Sequence, residues 1–406
     1  MRVSAFAQLR GDMSASAVAA GFLAVVISYA GPLLIFLQAG NAAHVGTEMM
    51  SSWVWAISMG AALSSIYLCF VTKIPVVTAW SAPGTALLVT LFPGMSINEA
   101  VGCYITTAVV LFIIGLTGSF DRLVKHIPKG VAAGMMAGIL FQFGTNVFKS
   151  VTTMPVLAVA MIGCYLVFKR LTPRYVIMWV LLFSVVLATQ MDLITLRGVP
   201  VAITKPIFIQ PEWSWESTFG FALPLILVSL TGQYLPGMAL LHISGFSVSA
   251  KKIICVTSLC SLMVACFGGI TTVLAAITAS LCTGKDAHAN PDKRYVAGIA
   301  NGVFYFLGAL FAGSIVTMFT GLPKELIAVL AGLALMGAIA SNLHTAMMDD
   351  EHREASVMGF LTVASGISFA GIGSAFWGIV VGMLTYALFD KELTERLKNT
   401  YFKERR

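Results

Sequence analysis

The sequence predicts an all-α polytopic membrane protein of about fourteen transmembrane spans, arranged as two inverted repeats of seven. Of its 406 residues, 58% are hydrophobic and only 11% are charged, whereas about a quarter of a soluble domain is charged. Uncharged runs such as 13–47 and 74–98 separate the charges. Each run holds the roughly 20 apolar residues that a spanning helix needs. The third observation is a pair of similar stretches, one in each half of the chain.

The fourteen spans follow from dividing the apolar runs at charged residues and at helix breakers. They are 17–38, 51–71, 75–91, 98–119, 128–148, 154–170, 174–191, 217–240, 252–268, 270–284, 296–319, 323–343, 354–372 and 375–390. The longest polar connection, 192–216, contains three prolines and separates seven spans from seven. Because each half has an odd number of spans, the two halves have opposite orientations in the membrane.

The third and tenth spans, 75–91 and 270–284, are predicted to be broken. When Thr78 is set against Thr271, five of eleven positions are identical, among them the pairs Ala82/Ala275 and Thr85/Thr278. Each stretch begins with Pro or Gly and β-branched residues, which suit an extended segment. Each then becomes small and helix-compatible. A strand followed by a half-helix at matching places in two halves is typical of transporters whose substrate site lies near the bilayer midplane.

The first span of each half also carries a glycine–proline interruption. These interruptions are Gly31-Pro32 in the first half and Pro236-Gly237 in the second. The alternative interpretation is that proline and glycine are simply frequent in membrane helices. The glycines at Gly130, Gly134 and Gly138 are interpreted as a surface for close helix packing.

The positive charges predict the orientation. The net charge is +7, and four of the 25 Lys and Arg residues (Lys149, Arg197, Lys205 and Lys324) lie in loops on one side. The other 21 lie on the opposite side, so the positive-inside rule places both termini in the cytoplasm. The charge therefore indicates membrane topology and not a nucleic-acid partner. The seven cysteines all lie in apolar runs without metal-site spacing, which indicates small buried side chains and no metal site.

No Asp, Glu, Lys or Arg lies in the middle of a predicted span. The broken spans can supply positive potential instead, because a helix N-terminus offers free N–H groups and about half a positive charge. Two such N-termini, near Ala82–Thr85 and Ala275–Thr278, would face each other and form an anion site that suits a carboxylate. The predicted substrate-binding residues are Tyr29, Trp80, Ser81, Ala82, Gly84, Thr85, Gln233, Tyr234, Ala275, Thr278 and Ser280.

Each of these residues has a simpler interpretation as a packing residue, and for Tyr234 that alternative stays open. Other polar residues inside the spans, Gln142, Asn146, Asn301 and Asn342, are predicted to form hydrogen bonds between helices. His242 and His344 lie near the cytoplasmic ends of spans. They are predicted to be interfacial, with proton handling as the alternative.

Three motifs carry a resemblance to a known family. These are Ile74-Pro-Val-Val-Thr-Ala-Trp-Ser-Ala-Pro-Gly-Thr-Ala-Leu-Leu88, Ala275-Ala-Ile-Thr278 and Gly371-Ile-Gly-Ser-Ala-Phe-Trp-Gly378. Over essentially its whole length, the chain resembles the benzoate:proton symporter family of bacterial inner membranes. That family is similar in fold to the nucleobase-ascorbate transporters and the sulfate permeases. The nucleobase branch has carboxylates in its eighth and tenth spans. This chain has Gln233 and small or hydroxyl residues there, so that mechanism does not carry over.

The resemblance implies a division into a core domain and a gate domain. The first repeat would cover 1–191, with core spans in 17–119 and gate spans in 128–191. A periplasmic connection, 192–216, would lead to the second repeat, 217–390, with core spans in 217–319 and gate spans in 323–390. A basic cytoplasmic tail, 391–406, would follow.

The function that the resemblance implies is secondary active transport, with import of benzoate or a similar aromatic carboxylate together with a proton across the inner membrane. The chain is not expected to be an enzyme or to need a cofactor. Its expected partners are the substrate, protons and the lipid bilayer, and a homodimer is left open. The alternatives are a transporter of another small organic anion or of a nucleobase, and an anion channel.

Overall fold

The computed structural model describes residues 5–92, 94–194, 201–276, 278–348 and 350–389. The predicted tail, 391–406, and the middle of the predicted connection, 195–200, lie outside these ranges. The described part of the chain is mostly helical, with two short strands.

The first half contains ten helices and one strand among the described residues. They are α1 (Ala5–Asp12), α2 (Ala15–Ala30), α3 (Pro32–Ala42), α4 (Thr47–Thr72), β1 (Thr78–Trp80), α5 (Ala82–Leu91), α6 (Ile97–Thr117), α7 (Phe120–His126), α8 (Lys129–Thr153), α9 (Pro155–Leu171) and α10 (Val176–Gln190). Local sequence explains several of these ends. The Ser96 hydroxyl accepts from the Glu99 backbone N–H and the Glu99 carboxylate accepts from the Ser96 N–H, which starts α6 with a capping box.

The second half repeats this order. It contains α11 (Trp215–Ile243), α12 (Ala250–Ala265), β2 (Thr272–Leu274), α13 (Ala279–Thr283), α14 (Tyr295–Leu310), α15 (Ala312–Thr320), α16 (Lys324–Met347), α17 (Arg353–Ala364) and α18 (Ser374–Phe389). In each half a long helix leads into a three-residue strand, and a shorter helix follows the strand. This order is the one that the sequence predicts for a broken span.

Six helical segments in the described ranges, one of them α2 and α3 taken together, are long and apolar enough to cross a membrane, and the pair α14–α15, bent by 73°, makes a seventh. Three shorter apolar helices, 82–91, 176–190 and 374–389, add to these. Each of the fourteen predicted spans overlaps a helix or a strand–helix pair. The number of crossings itself stays a prediction.

The helices pack in two groups. In the first group, α4 contacts α12, α14 and α15, while α6 contacts α12 and α2 contacts α14. In the second group, α8 contacts α9, α16, α17 and α18, and α9 contacts α10. The two strands contact α4 and α12 and therefore belong to the first group. The division into a core and a gate domain that the resemblance implies stays a prediction.

The glycines of α8 form a close packing surface, as predicted. A side chain on Gly134 would collide with the Ser356 carbonyl on α17, and one on Gly138 would lie 2.7 Å from Val363 Cβ. Without Cβ atoms at these positions the two helix backbones can approach closely.

The two predicted glycine–proline interruptions differ in the structure. Gly31 leaves helical geometry, with φ −122° and ψ −79°, and separates α2 from α3. In contrast, α11 continues through Pro236, because the turn at Leu230–Tyr234 is a π-type turn that closes with the Leu235 N–H donating to the Leu230 carbonyl. The predicted break at Pro236-Gly237 is therefore wrong. The wider turn before the proline accommodates it without ending the helix.

Candidate functional site

The two strands cross at the centre of the first group of helices and pair with each other. They are antiparallel, with Thr78 opposite Leu274, Ala79 opposite Val273 and Trp80 opposite Thr272. The Ser81 N–H donates to the Thr271 carbonyl at 3.0 Å and the Ala275 N–H donates to the Val77 carbonyl at 3.0 Å. These bonds extend the pairing by one residue at each end. The broken spans therefore satisfy each other's backbone groups in the apolar interior, where an unpaired group would be costly.

Each strand is anchored by a serine on the long helix that precedes it. The Thr78 N–H donates to Ser65 Oγ on α4 at 3.0 Å, and the Thr272 N–H donates to Ser261 Oγ on α12 at 2.8 Å. Thr78 and Thr272 are also the first residues of their strands. The internal equivalence is thus Thr78 with Thr272, and the predicted pairing of Thr78 with Thr271 is wrong by one residue.

The half-helices begin at different distances from their strands. The first, α5, begins at Ala82, directly after its N-cap Ser81, whose hydroxyl accepts from the Gly84 N–H at 3.1 Å. The second, α13, begins at Ala279 with Thr278 as its N-cap. The predicted N-terminus near Ala82–Thr85 is confirmed. Of the second predicted stretch, Ala275–Thr278, Thr278 is the N-cap, whereas Ala275 lies beside the strand, four residues before the helix. The signal for the true start, Thr278 before Ala279-Ser280, was present in the sequence but was aligned with Thr85.

Tyr29 and Trp80 form an aromatic cluster with Tyr305 of α14. The rings of Tyr29 and Trp80 stack with centroids 6.0 Å apart, and Tyr305 meets both of them edge-on. The Tyr29 hydroxyl is 2.7 Å from Ser58 Oγ. Trp80 is 3% exposed, and its indole N–H has no hydrogen-bond partner among the described residues. The cluster thus holds a buried donor next to the strand crossing.

The two residues predicted on α11 lie in different surroundings. Tyr234 is fully buried, and its hydroxyl lies 2.6 Å from Thr257 Oγ1, so in this conformation it packs α11 against α12. Gln233 is half-buried and lies in the π-type turn. Its side-chain amide makes no hydrogen bond to another described residue. Such turns are often found at functional sites.

The remaining predicted residues surround the two half-helix starts. Thr85 and Ser81 are fully buried, and the Thr85 hydroxyl donates to the Ser81 carbonyl at 2.8 Å. Thr278 and Ala275 are buried as well, whereas Ser280 is exposed. Leu225 of α11 fills the space beside Gly84 so closely that a side chain on Gly84 would collide with it. The N-terminus of α5 is therefore covered in this conformation.

A cavity of about 620 Å³ lies between the two groups of helices. Its inner walls come from Gly232 and Leu235 on α11, Met136 on α8, and Leu333 and Ala334 on α16. Ala276, in the link between β2 and α13, also lines it, so the cavity reaches the second broken span. None of the eleven predicted substrate-binding residues is among its described lining residues. In the sequence, its lining residues Gly232, Leu235 and Ala276 directly adjoin Gln233, Tyr234 and Ala275.

The mouth of the cavity is basic. Lys129, Lys169 and Arg174 lie on its rim, whereas the described lining contains no Asp or Glu. Polar groups from both sides, Thr231 on α11 and Asn342 on α16, lie between the rim and the inner walls. Cations in a low-dielectric cleft raise the local concentration of anions. The cavity therefore offers an anionic, partly apolar ligand a path toward the second half-helix.

The sequence could not identify this cavity because its described lining residues come from seven separate helices and from the segments between them. From the sequence, Asn342 is predicted to form a hydrogen bond with another helix. In the structure its Nδ2 donates to Ala338 of its own helix at 2.8 Å. For two other residues the prediction is confirmed: Gln142 donates to the Ala364 carbonyl at 3.0 Å and Asn301 to the Gly21 carbonyl at 3.5 Å, each on another helix.

Comparison with known proteins gives one family over nearly the whole chain. A family model described as "Benzoate membrane transport protein" matches residues 11–388. The chain is 58% identical over 383 residues to the benzoate membrane transport protein of Acinetobacter baylyi, covering 94% of this chain and 97% of that protein. It is 37% identical over 371 residues to the inner membrane protein YdcO of Escherichia coli, covering 91% and 95% respectively.

Solved structures show the same fold at low sequence identity. SLC26A9 aligns with a TM-score of 0.65 and 14% identity, over 92% of this chain and 65% of that chain. The transmembrane domain of the cyanobacterial bicarbonate transporter BicA aligns with a TM-score of 0.60 and 13% identity, over 91% of this chain and 96% of that chain. Both alignments cover more than nine-tenths of this chain, so the chain shares the overall fold of these structures.

Proposed function

The chain belongs to the benzoate membrane transport family, and we propose that it imports benzoate or a similar aromatic carboxylate together with a proton. It is a membrane transporter and not an enzyme. The observation that carries the proposal is the cavity between the two helix groups. Its volume of about 620 Å³ lies within the range of about 300–1,000 Å³ that is usual for ligand pockets. It has a basic rim, apolar inner walls and an end beside the second broken span.

The proposed transport cycle moves the first helix group, the core, against the second group, the gate. The core contains both strands and both half-helices, and the cavity separates it from the gate. The rim carries Lys129, Lys169 and Arg174, so the positive-inside rule assigns this mouth to the cytoplasm and the conformation to an inward-open state. Both termini are then cytoplasmic, and the protein is placed in a bacterial inner membrane. Movement of the core toward the other side would close this mouth and expose the site there.

The substrate site is proposed at the inner end of the cavity, which Gly232 and Ala276 line beside Gln233 and Ala275, with the N-terminus of α5 behind Leu225 of α11. Gln233 offers a free amide and α5 offers backbone N–H groups and a positive dipole end. Leu225 and Met136 cover this region in the inward-open state, since they contact Gly84 and Gly232 respectively. Their movement would admit the carboxylate to the half-helix.

The proton is proposed to travel on the substrate. In the six long helices, Glu48, Glu99, Glu216 and Glu325 lie in the first turn and His242 and His344 in the last. No described Asp, Glu or His therefore lies at a span centre, where a proton carrier would be expected. Entry into a low-dielectric site raises the pKa of a carboxylic acid. The bound substrate would then hold a proton that it releases in the cytoplasm.

Uptake by proteoliposomes tests the function. Radiolabelled benzoate, other aromatic acids, nucleobases and neutral benzamide would be compared with and without an inward pH gradient. We expect saturable benzoate uptake that the gradient increases, and no uptake of benzamide or nucleobases. Uptake of a nucleobase in preference to benzoate, or an anion current that does not saturate, would contradict the proposal.

The source of the coupled proton is tested separately. We expect benzoate-driven proton flux to survive in the triple variant Glu99→Gln, His242→Ala, His344→Ala, because none of these side chains carries the proton. A pH-sensitive dye inside the liposomes reports the flux, and benzoate binding to the same variant is the control. Binding without flux would assign the proton to one of these side chains.

A further inference from the structure

The cavity mouth contains a contact that joins the two helix groups. Arg174 lies in the segment between α9 and α10, in the gate. Its guanidinium forms an ion pair with Asp286 and also donates to the Leu281 carbonyl at 3.3 Å. Leu281 belongs to α13, and Asp286 follows it in the loop that leaves the second broken span. Arg174 thus ties the gate to the part of the core that carries the second half-helix.

The core side of this contact is rigid. Arg294 is 6% exposed and donates to the Thr283 carbonyl at 2.8 Å and to the His288 carbonyl at 2.8 Å. It therefore holds the loop between α13 and α14 in a fixed shape. Two arginines approach the C-terminal carbonyls of α13, where positive charge is favourable. Arg294 comes from the core itself, whereas Arg174 comes from the gate. Of these two contacts with α13, the one made by Arg174 must therefore change when the groups move.

The ion pair between Arg174 and Asp286 is also accessible to a competing carboxylate. The side chain of Asp286 is 78% exposed and that of Arg174 is 32% exposed, and an ion pair in such a position is weak because water and salt screen it. Arg174 lines the same cavity that we assign to the substrate. A carboxylate that enters the mouth can form an ion pair with the Arg174 guanidinium. Because the guanidinium has a limited number of N–H donors, this carboxylate competes with Asp286 for them.

We propose that Arg174 is a latch that holds the second broken span against the gate in the inward-open state, and that a carboxylate in the cavity releases it by replacing Asp286. The latch rests on the proposed movement of core against gate. Its release rests in addition on the proposed carboxylate substrate. The outgoing substrate thereby removes a contact that holds the inward-open state, and so favours the return of the core to the other side.

The latch is tested without substrate through a cysteine reporter. Ala338→Cys, on the gate wall of the cavity, is labelled with a maleimide in detergent, and the labelling rate of the parent chain is subtracted. We expect Arg174→Ala to lower the reporter's rate about five-fold, because the inward-open state loses one screened ion pair and one charged hydrogen bond. The charge exchange Arg174→Asp with Asp286→Arg should restore most of the rate.

The matched control is Lys169→Ala, which removes a cation from the same rim. Lys169 makes no ion pair with a described residue, so its removal should leave the labelling rate unchanged. An unchanged rate in Arg174→Ala, an equal loss in Lys169→Ala, or a charge exchange without recovery would each overturn the latch.

Release is tested on the unmodified chain. Hydrogen exchange at residues 284–293 should become faster with benzoate and stay the same with benzamide, which is neutral and of similar shape. Equal exchange with both compounds, while benzoate is shown to bind, would overturn release by the carboxylate. Absence of benzoate binding would instead remove the proposed substrate, and the labelling experiment, which contains no substrate, would still decide the latch.

Discussion

The two broken spans begin alike and continue differently. In both, a serine on the preceding helix accepts the first strand N–H, and the strands pair with each other. After the strand, the first span turns directly into the ten-residue helix α5 with a serine cap, whereas the second has four residues before the five-residue helix α13, whose N-cap makes no side-chain bond. The second span also meets the cavity through Ala276 and the gate through Arg174.

We infer from this difference that the two broken spans have different roles. The first span is stabilised locally by its N-cap and by Leu225, which packs over the N-terminus of α5. It would therefore keep a preformed helix N-terminus that can bind an anion. The second span depends on contacts from elsewhere, including one from the gate, and would respond when the gate moves. The four predictions below test this difference, from the largest expected effect to the smallest, and the first compares Ala82 with Ala275, which the sequence alignment pairs.

The largest effect is expected from a carboxylate at the start of each half-helix. Ala82→Asp should fold normally, because an acid in the first turn of a helix is favourable. It should lower benzoate uptake by about 100-fold or more, since two carboxylates about 4 Å apart repel by about 4 kcal/mol in a partly buried site. Uptake and gel filtration of the same preparation measure both effects.

The equivalent change in the second span should act on folding instead. Ala275 is 8% exposed and lies beside the strand and not in a helix turn. Ala275→Asp should therefore reduce the yield of monodisperse protein, because it buries an uncompensated charge. If Ala275→Asp folds and loses only uptake, the two positions are equivalent after all and the structural distinction fails.

The strand anchors should differ in strength. Ser261→Ala leaves the Thr272 N–H unpaired and should lower stability by about 1–3 kcal/mol. Ser65→Ala should cost less, because Thr78 stays anchored through its hydroxyl, which lies 2.6 Å from Ser64 Oγ and donates to the Ala61 carbonyl at 3.1 Å. Thermal unfolding of the two variants in detergent gives the order. A larger loss for Ser65→Ala would contradict it.

Gln233 lies near the second broken span, because the turn Leu230–Tyr234, which contains it, contacts β2. Gln233→Leu should weaken benzoate binding by about 1–3 kcal/mol through loss of a hydrogen bond to the ligand, measured by calorimetry. The control is Gln142→Leu, which removes a glutamine that bonds Ala364 in the gate and should leave binding unchanged. Equal affinity of Gln233→Leu and the parent chain would assign Gln233 to packing.

The smallest effect is expected at the caps. Ser81→Ala removes the bond to the Gly84 N–H and should lower stability by about 1 kcal/mol. Thr278→Ala removes a cap residue whose side chain makes no capping bond and should change stability by less than that. The difference in unfolding temperature between the two variants tests whether α5 is the helix that is held locally. Equal losses would show that it is not.

Sequence patterns determined the class of the protein, the positions of its helices and the existence of two strand–helix spans. These features are local. A run without charges predicts a spanning helix wherever it occurs, and β-branched residues before Ser81-Ala-Pro83 predict a strand followed by a capped helix. The α8 glycine surface followed from the same reasoning, since small residues at i and i+4 lie on one face of a helix.

The start of α13, the straight passage of α11 through Pro236 and the lining of the cavity were decided by tertiary structure. Ala275 is held beside the strand because its N–H donates to the Val77 carbonyl on the other span, a partner almost 200 residues away. The cavity is lined by α8 and α16 on one side and by α11 on the other, and no single segment encodes that arrangement. From the sequence, Arg174 is predicted only to be one of the positive charges on the cytoplasmic side. Only the approach of Leu281 and Asp286 from the core gives it a specific role, because an ion pair depends on where two distant segments meet.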